Sequence, residues 1–201
     1  MTPKSIMFSG IIKTTQKPIS VRKSKNSMEI DFPIPKDWSL EIGESVNIDG
    51  VCSTVKSLEK DKFSVYYMPE TLSKTTLGSL DSNHVFNLER CLTLQDLISG
   101  HLVYGHVDTT AAVRNLIKEE GSVSLTFEIS KAFTKYVVYK GSIAVNGVSL
   151  TIVKITNDSF TVSLIPHTLK NTNLSKLIVG SSVNIEVDMI AKHIEKLVSG
   201  R

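Results

Sequence analysis

Residues 142–152 read SIAVNGVSLTI, and residues 45–55 read SVNIDGVCSTV. The stretches lie 97 positions apart and share a centre, Asn146-Gly147 in one and Asp49-Gly50 in the other. Asn-Gly and Asp-Gly are the favoured pairs for two-residue hairpin turns, because both central residues take positive φ. Each stretch is therefore expected to be a hairpin, and its register follows. Ile48 opposes Val51, Asn47 opposes Cys52, Val46 opposes Ser53 and Ser45 opposes Thr54. Opposed residues share a face, and faces alternate along a strand. Val46, Ile48, Val51 and Val55 form one face; Ser45, Asn47, Cys52 and Thr54 form the other. In the second copy Ile143, Val145, Val148, Leu150 and Ile152 oppose a face of Ser142, Ala144, Ser149 and Thr151. An ordinary half-exposed hairpin turns such a polar face to water. A solvated face more often carries Lys, Glu or Asp, and their absence from both copies favours a wall for a flat ligand.

Working outward, the same offset carries Tyr67–Leu72 (YMPETL) onto Leu164–Leu169 (LIPHTL), and Phe86–Glu89 (FNLE) onto Val183–Glu186 (VNIE). Phe8–Ile12 (FSGII) resembles Val103–Val107 (VYGHV) at an offset of 95. A period this long marks a duplicated domain rather than a solenoid. The boundary falls near 97–102, giving domains 1–100 and 101–188, with 189–201 as a C-terminal helix. Val, Ile, Thr and Tyr dominate each half, and turn signals recur every 8–12 residues. Six or so short strands in such a half, with edges to be closed, suggest a small β-barrel. Helix is expected only at 92–98, 130–137 and 189–197, where Ile190, Ile194 and Leu197 recur at helical spacing.

Composition narrows the function. Of 201 residues, 41% are apolar, enough for a sizeable core, and the net charge is +3 with no long run of one sign. That argues against nucleic acid or an acidic membrane surface as partner. Cys52 and Cys91 have no zinc-like spacing and fit a reducing cytoplasm better than a disulfide scaffold. No apolar run suggests a signal peptide or a membrane span. A nicotinamide-dependent reductase would need a GxGxxG after a strand, and none is present. An RNA-binding barrel should show a basic, aromatic-rich face, and aromatics are only 6%.

The blocks MFSGII (7–12), DGVCSTV (49–55), MPETL (68–72) with Thr75 and Leu77, GHLVYGHVDTTA (100–111), YKGSIAVNGVSLTIV (139–153) and LIPHTL (164–169) resemble the riboflavin synthase family over nearly the whole chain. The resemblance implies an all-β fold of two tandem six-stranded Greek-key barrels plus a short C-terminal helix, assembled as a homotrimer. Each barrel would bind one 6,7-dimethyl-8-ribityllumazine. A four-carbon unit would pass between two such molecules, giving riboflavin and 5-amino-6-ribitylaminouracil without metal or redox cofactor. Association with lumazine synthase is a further implied partnership. A non-catalytic lumazine-binding relative is the alternative. Such relatives tend to lose ligand-facing residues in one half, whereas both halves here keep the glycine start, the hairpin and the Pro-x-Thr-Leu segment.

The resemblance also implies site residues. In the N-terminal barrel they are Gly10, Ile11, Ile12, Cys52, Ser53, Thr54 and the run Tyr66, Tyr67, Met68, Pro69, Glu70, Thr71. In the C-terminal barrel they are Gly105, His106, Val107, Lys140, Ser149, Leu150, Thr151 and the run Ser163, Leu164, Ile165, Pro166, His167, Thr168. For chemistry it points to His106, Ser149 and Thr151, with Phe8, Ser45 and Cys52 across a subunit boundary. His106 suits proton transfer because imidazole titrates near neutrality. Asp188 is either a further candidate or a helix N-cap. Three departures stand out. Ser53 replaces the family's usual Leu, His167 replaces its usual Glu, and six residues precede Met7, so translation could begin at either Met1 or Met7.

Overall fold

A computed structural model describes residues 7–200; the segment ahead of Met7, and the question of which methionine starts the chain, lie outside them. The N-terminal half contains β1 (Thr14–Gln16), β2 (Ser20–Lys23), β3 (Met28–Pro33), β4 (Ser45–Ile48), β5 (Val51–Leu58), β6 (Lys62–Tyr67), α1 (Pro69–Lys74) and β7 (Phe86–Arg90). The C-terminal half contains β8 (Thr109–Glu119), β9 (Ser122–Glu128), α2 (Lys131–Thr134), β10 (Ser142–Val145), β11 (Val148–Ile155), β12 (Ser159–Leu164), α3 (Pro166–Asn171) and β13 (Ser182–Val187). The chain then enters α4 (Met189–Ser199).

The second half closes into a six-stranded antiparallel barrel in the order β10-β11-β12-β9-β8-β13. The first follows the same path, β1-β7-β4-β5-β6-β3-β2, but its opening strand is cut in two. β8 runs unbroken between its neighbours, whereas β1 pairs with β7 and β2 pairs with β3. Pro18 lies in the gap. Proline has no N–H to give a ladder, so the strand is interrupted there.

Both hairpins have the expected register, from Ser45 opposite Thr54 to Ile48 opposite Val51, and from Ser142 opposite Thr151 to Val145 opposite Val148. Asp49, Gly50, Asn146 and Gly147 all take positive φ, between 45° and 85°. Even the irregularities repeat: a register shift follows Val55 in β5 and Ile152 in β11. The apolar hairpin faces turn inward. The N-terminal core centres on Val46, Ile48, Phe32, Phe63 and Phe86, and the C-terminal core on Ile143, Val145, Phe127 and Phe160. A stacked pair occupies the same place in each, Phe32 on Phe63 and Phe127 on Phe160.

Two helical expectations needed revision. Residues 92–98 form turns, not a helix. Asp96 accepts hydrogen bonds from the Thr93 backbone and hydroxyl, closing a single turn that goes no further. Leu94 and Leu97 are almost fully exposed, so no buried face supports a helix. Conversely, the Pro-x-Thr-Leu segments are short helices, α1 and α3, each started by a proline at its first turn. α2 is only one turn within 130–137, and α4 forms as expected.

The halves meet through a reciprocal polar network. Asn87 Nδ2 donates to the Asn146 carbonyl, and Asn184 Nδ2 donates to the Asp49 carbonyl. Asn87 Oδ1 accepts from the Asn173 N–H, and Asn184 Oδ1 accepts from the Thr76 N–H. At the centre a Cβ on Gly50 would stand 2.9 Å from the Gly147 nitrogen, so the two turns touch backbone to backbone. The reciprocity is not complete: Asp49 stands where the other turn has Asn146, burial pushes its carboxyl up, and His84 Nε2 lies 2.7 Å from it. Asn184→Ala is expected to cost about 2–6 kcal/mol of unfolding free energy, since it strands a buried N–H and a buried carbonyl at about 1–3 kcal/mol each. Urea denaturation would read this as a lower midpoint with unchanged slope.

Candidate active site

The outward faces of the two hairpins are the walls named from sequence. Cys52 and Thr54 line one, Ser149 and Thr151 the other, with both cysteine and serine half-buried and both threonines exposed. Each wall continues on the next strand and short helix: Tyr66, Met68, Glu70 and Thr71 in the first half, Ser163, Ile165, His167 and Thr168 in the second. Pro69 and Pro166 start those helices.

The glycine-centred starts do not sit on their own barrels. The Ser149 N–H donates to the Gly10 carbonyl at 2.8 Å, and the Cys52 N–H donates to the Gly105 carbonyl at 2.8 Å. Ile12 packs against the C-terminal core and Val107 against the N-terminal core. Gly10, Ile11 and Ile12 therefore complete the Ser149 wall, and Gly105, His106 and Val107 complete the Cys52 wall. The sequence grouping had each segment on its own half; the chain crosses them over. Glycine is required at both crossings. Gly10 and Gly105 take φ of 74° and 73°, and an added Cβ would come within 2.6 Å of Ser149 Cβ or the Cys52 nitrogen.

The Cys52 wall borders a pocket of about 250 Å³ lined by Cys52, Glu70, Thr71, Gly105, His106 and Val107, and also by Val51, Lys74 and Thr75, which the sequence reading passed over. Lys74 and Val107 also line an adjoining hollow with Asp108 and Phe133. Glu70 and Lys74 pair at 2.8 Å across one helical turn. In the other half the same positions carry His167 and Asn171, whose Nδ2 donates to the His167 carbonyl.

Other candidates lie away from the walls. Phe8 is fully buried with Val103 and Ala144 beneath the two cysteines, and it bridges to Val103 through two backbone hydrogen bonds. Ser53, Tyr67, Leu150 and Leu164 turn into the barrel cores, as the alternation requires; the Ser53 hydroxyl and Tyr67 phenol lie 2.8 Å apart. Lys140 occupies a left-handed turn with φ of 65°, its ammonium over the Tyr139 ring. Asp188 caps α4, its carboxylate accepting from the Ile190 N–H at 2.9 Å.

His101 was missed as well. His101 Nδ1 lies 2.7 Å from Ser149 Oγ. Its other ring nitrogen, Nε2, is buried without a hydrogen-bond partner among the described residues. Burial pushes the imidazole below its ordinary value, and the Asp188 charge pulls partly back. A neutral ring so placed can take the serine proton. The available signal was the first Gly-His of GHLVYGH, which stands at the boundary between the halves. On the other wall, burial pushes the Cys52 thiol up, opposed by a Ser45 hydrogen bond and reinforced by Glu186. Cys52 is thus protonated near neutrality, a hydrogen-bonding thiol rather than a thiolate nucleophile. Among the described residues no cluster of His, Cys, Asp or Glu could hold a metal ion.

The duplicated architecture has known counterparts. A lumazine-binding domain model matches residues 9–91 and again 104–188. The riboflavin synthase of Bacillus subtilis (strain 168) is 39% identical over 193 residues, covering 96% of this chain and 90% of the relative. That of Chlamydia pneumoniae is 41% identical over 188 residues, covering 92% of each. Crystal structures of LumP with riboflavin and with 6,7-dimethyl-8-(1'-D-ribityl) lumazine superpose with TM-scores of 0.84 and 0.81, each at 26% identity over 90% of this chain and nearly all of LumP.

Proposed function

Because the chain belongs to the riboflavin synthase family, built on two lumazine-binding domains, we propose that its two crossed-over walls each hold one 6,7-dimethyl-8-ribityllumazine during the family's reaction. The protein is a riboflavin synthase-type transferase, moving a four-carbon unit from one lumazine to another to give riboflavin and 5-amino-6-ribitylaminouracil. The His101–Ser149 pair is the observation that carries the catalytic reading over a purely binding one.

The chemistry needs a proton removed from the C7 methyl of one lumazine, giving a carbanion that the ring delocalises. That carbon then attacks the second ring. Ser149, relayed to a neutral His101, is the base the structure supports best. The Cys52 wall would hold the second ring, with His106 and the Glu70–Lys74 pair near its polar edge. Holding two reactants in register supplies much of the acceleration, about 7–11 kcal/mol in favourable cases.

Two flat rings must lie face to face, and each wall here is open. We infer that the facing wall comes from a neighbouring chain in a homotrimer. The α4 stripe of Ile190, Ile194, Leu197 and Val198, exposed in the single chain, supports such assembly. Association with lumazine synthase and a cytoplasmic setting are part of the same proposal; among the described residues no helix is long and apolar enough to cross a membrane.

The test is turnover: purified protein incubated with the lumazine alone should yield riboflavin and the diaminouracil in equal amounts. Tight binding without product would make it a binding protein instead. Since His101 is held below the ordinary imidazole value of about 6.5, it stays neutral at pH 7 and takes up a proton only at lower pH. The acid limb of kcat is therefore expected below pH ~6.5 and is expected to vanish in His101→Gln. The same shift takes stability away as pH falls, because the unfolded chain binds this proton more readily. A pH–rate profile checks the first point and a melting series the second.

A further inference from the structure

The tetrapeptides FNLE and VNIE repeat with the hairpins, and the reaction uses neither glutamate. We propose that Glu89 and Glu186 are positioning residues, each holding the glycine segment of its own half against the wall of the other. This rests on the walls being the two ligand sites.

Both carboxylates are buried, at 0% and 3% exposure, with no salt bridge among the described residues. Their bonds go to consecutive backbone N–H groups. Glu89 accepts from Ser9 N at 2.8 Å, Ser9 Oγ at 2.6 Å and Gly10 N at 3.0 Å. Glu186 accepts from Tyr104 N at 2.7 Å, Gly105 N at 2.8 Å and His106 N at 3.1 Å. Successive N–H groups around a left-handed glycine converge into an anion-binding nest. Here the protein's own side chain fills that nest. The glycine carbonyl behind it accepts from the wall residue of the other half, Ser149 for Gly10 and Cys52 for Gly105. The order is thus Glu89, Gly10, Ser149 on one side and Glu186, Gly105, Cys52 on the other. The asparagine of each tetrapeptide, Asn87 or Asn184, fixes how the halves meet. One short motif therefore sets both the contact between halves and the segment laid across each wall.

A glutamine in place of either glutamate keeps the shape but presents an NH2 to backbone donors, releasing at least one of them. The crossing makes the outcome directional. With Cys91→Ser as background, Cys52 is the single thiol, and its alkylation rate by iodoacetamide, taken per thiolate from the pH dependence because the Glu186 charge also acts on the thiol, reports whether Gly105 still covers it. E186Q is expected to raise that rate about tenfold, the scale of one lost charge-assisted hydrogen bond, while E89Q leaves it within about twofold. The mirrored reporter, Ser149→Cys with both native cysteines replaced by serine, should respond to E89Q and not to E186Q. Equal acceleration of both reporters by either variant, or of neither, overturns the proposal. Should the glutamine variants fail to fold, E89D and E186D shorten the reach by one methylene and are held to the same crossed pattern. Labelling needs no turnover, so its outcome stands apart from the assay for riboflavin formation.

Discussion

Ser149→Ala is expected to lower kcat by about 10²–10³-fold while changing ligand affinity by less than about tenfold. The hydroxyl is half-buried on an open wall and lies 2.7 Å from His101 Nδ1, and that ring is held neutral by burial. Alanine keeps the backbone bond to the Gly10 carbonyl, so the wall retains its shape and loses only the proton relay. His101→Gln should match it within a few-fold, and the double variant should be little worse than either, since residues acting as one unit are not additive. His106→Ala should differ in kind. His106 lies against the Cys52 pocket, so its loss should appear mainly in binding. Steady-state kinetics with direct titration of riboflavin separates the two patterns. A Ser149→Ala protein with near-normal kcat would remove the relay from the mechanism.

The second large effect is on stability. Gly105→Ala is expected to cost about 2–6 kcal/mol, and Gly10→Ala a similar amount. Each places a Cβ at positive φ, worth about 1–3 kcal/mol of strain. Each also drives that Cβ to 2.6 Å from an atom of the opposing hairpin, where overpacking adds about 1–3 kcal/mol. The atoms met are the backbone and Cβ of Cys52 in one case and of Ser149 in the other, and none can swing aside. Gly121→Ala is a fair control, since it also has positive φ but meets nothing within 4 Å. Chemical denaturation should rank Gly105→Ala and Gly10→Ala well below Gly121→Ala.

Much of the fold was legible because the decisive rules are local. An Asp-Gly or Asn-Gly turn fixes its own register, so the pairing from Ser45–Thr54 inward, and the two faces, followed from eleven residues. What escaped depends on packing between distant segments. An offset of 95 aligns Gly10 with Gly105 but says nothing about which hairpin each will cover. Leu94 and Leu97 had helical spacing without a surface to bury against. Pro69 and Pro166 were read as ligand segments because a six-residue helix has almost no periodicity to detect. His101 lay in what looked like a linker, and only the fold brings it to Ser149. Phe8 sat in a motif tied to chemistry, yet its side chain is wholly enclosed beneath the cysteines. The two hairpin faces and the glycine segments were legible; which half each segment covers, and the place of His101 beside Ser149, were not.

The reciprocity of the contacts between halves speaks to ancestry. Asn87 and Asn184 donate to equivalent carbonyls, and Gly10 and Gly105 cross to equivalent hairpins. Two identical single barrels meeting about a two-fold axis would make just such paired contacts, residue for residue. Joining those copies into one chain would keep the interface and remove the need for both sides to be the same. One turn could then carry Asp49 with His84 while the other kept Asn146, and one wall could acquire His101 while the other kept Cys52. A duplication of that kind would turn a symmetric dimer into a molecule whose two halves are free to differ.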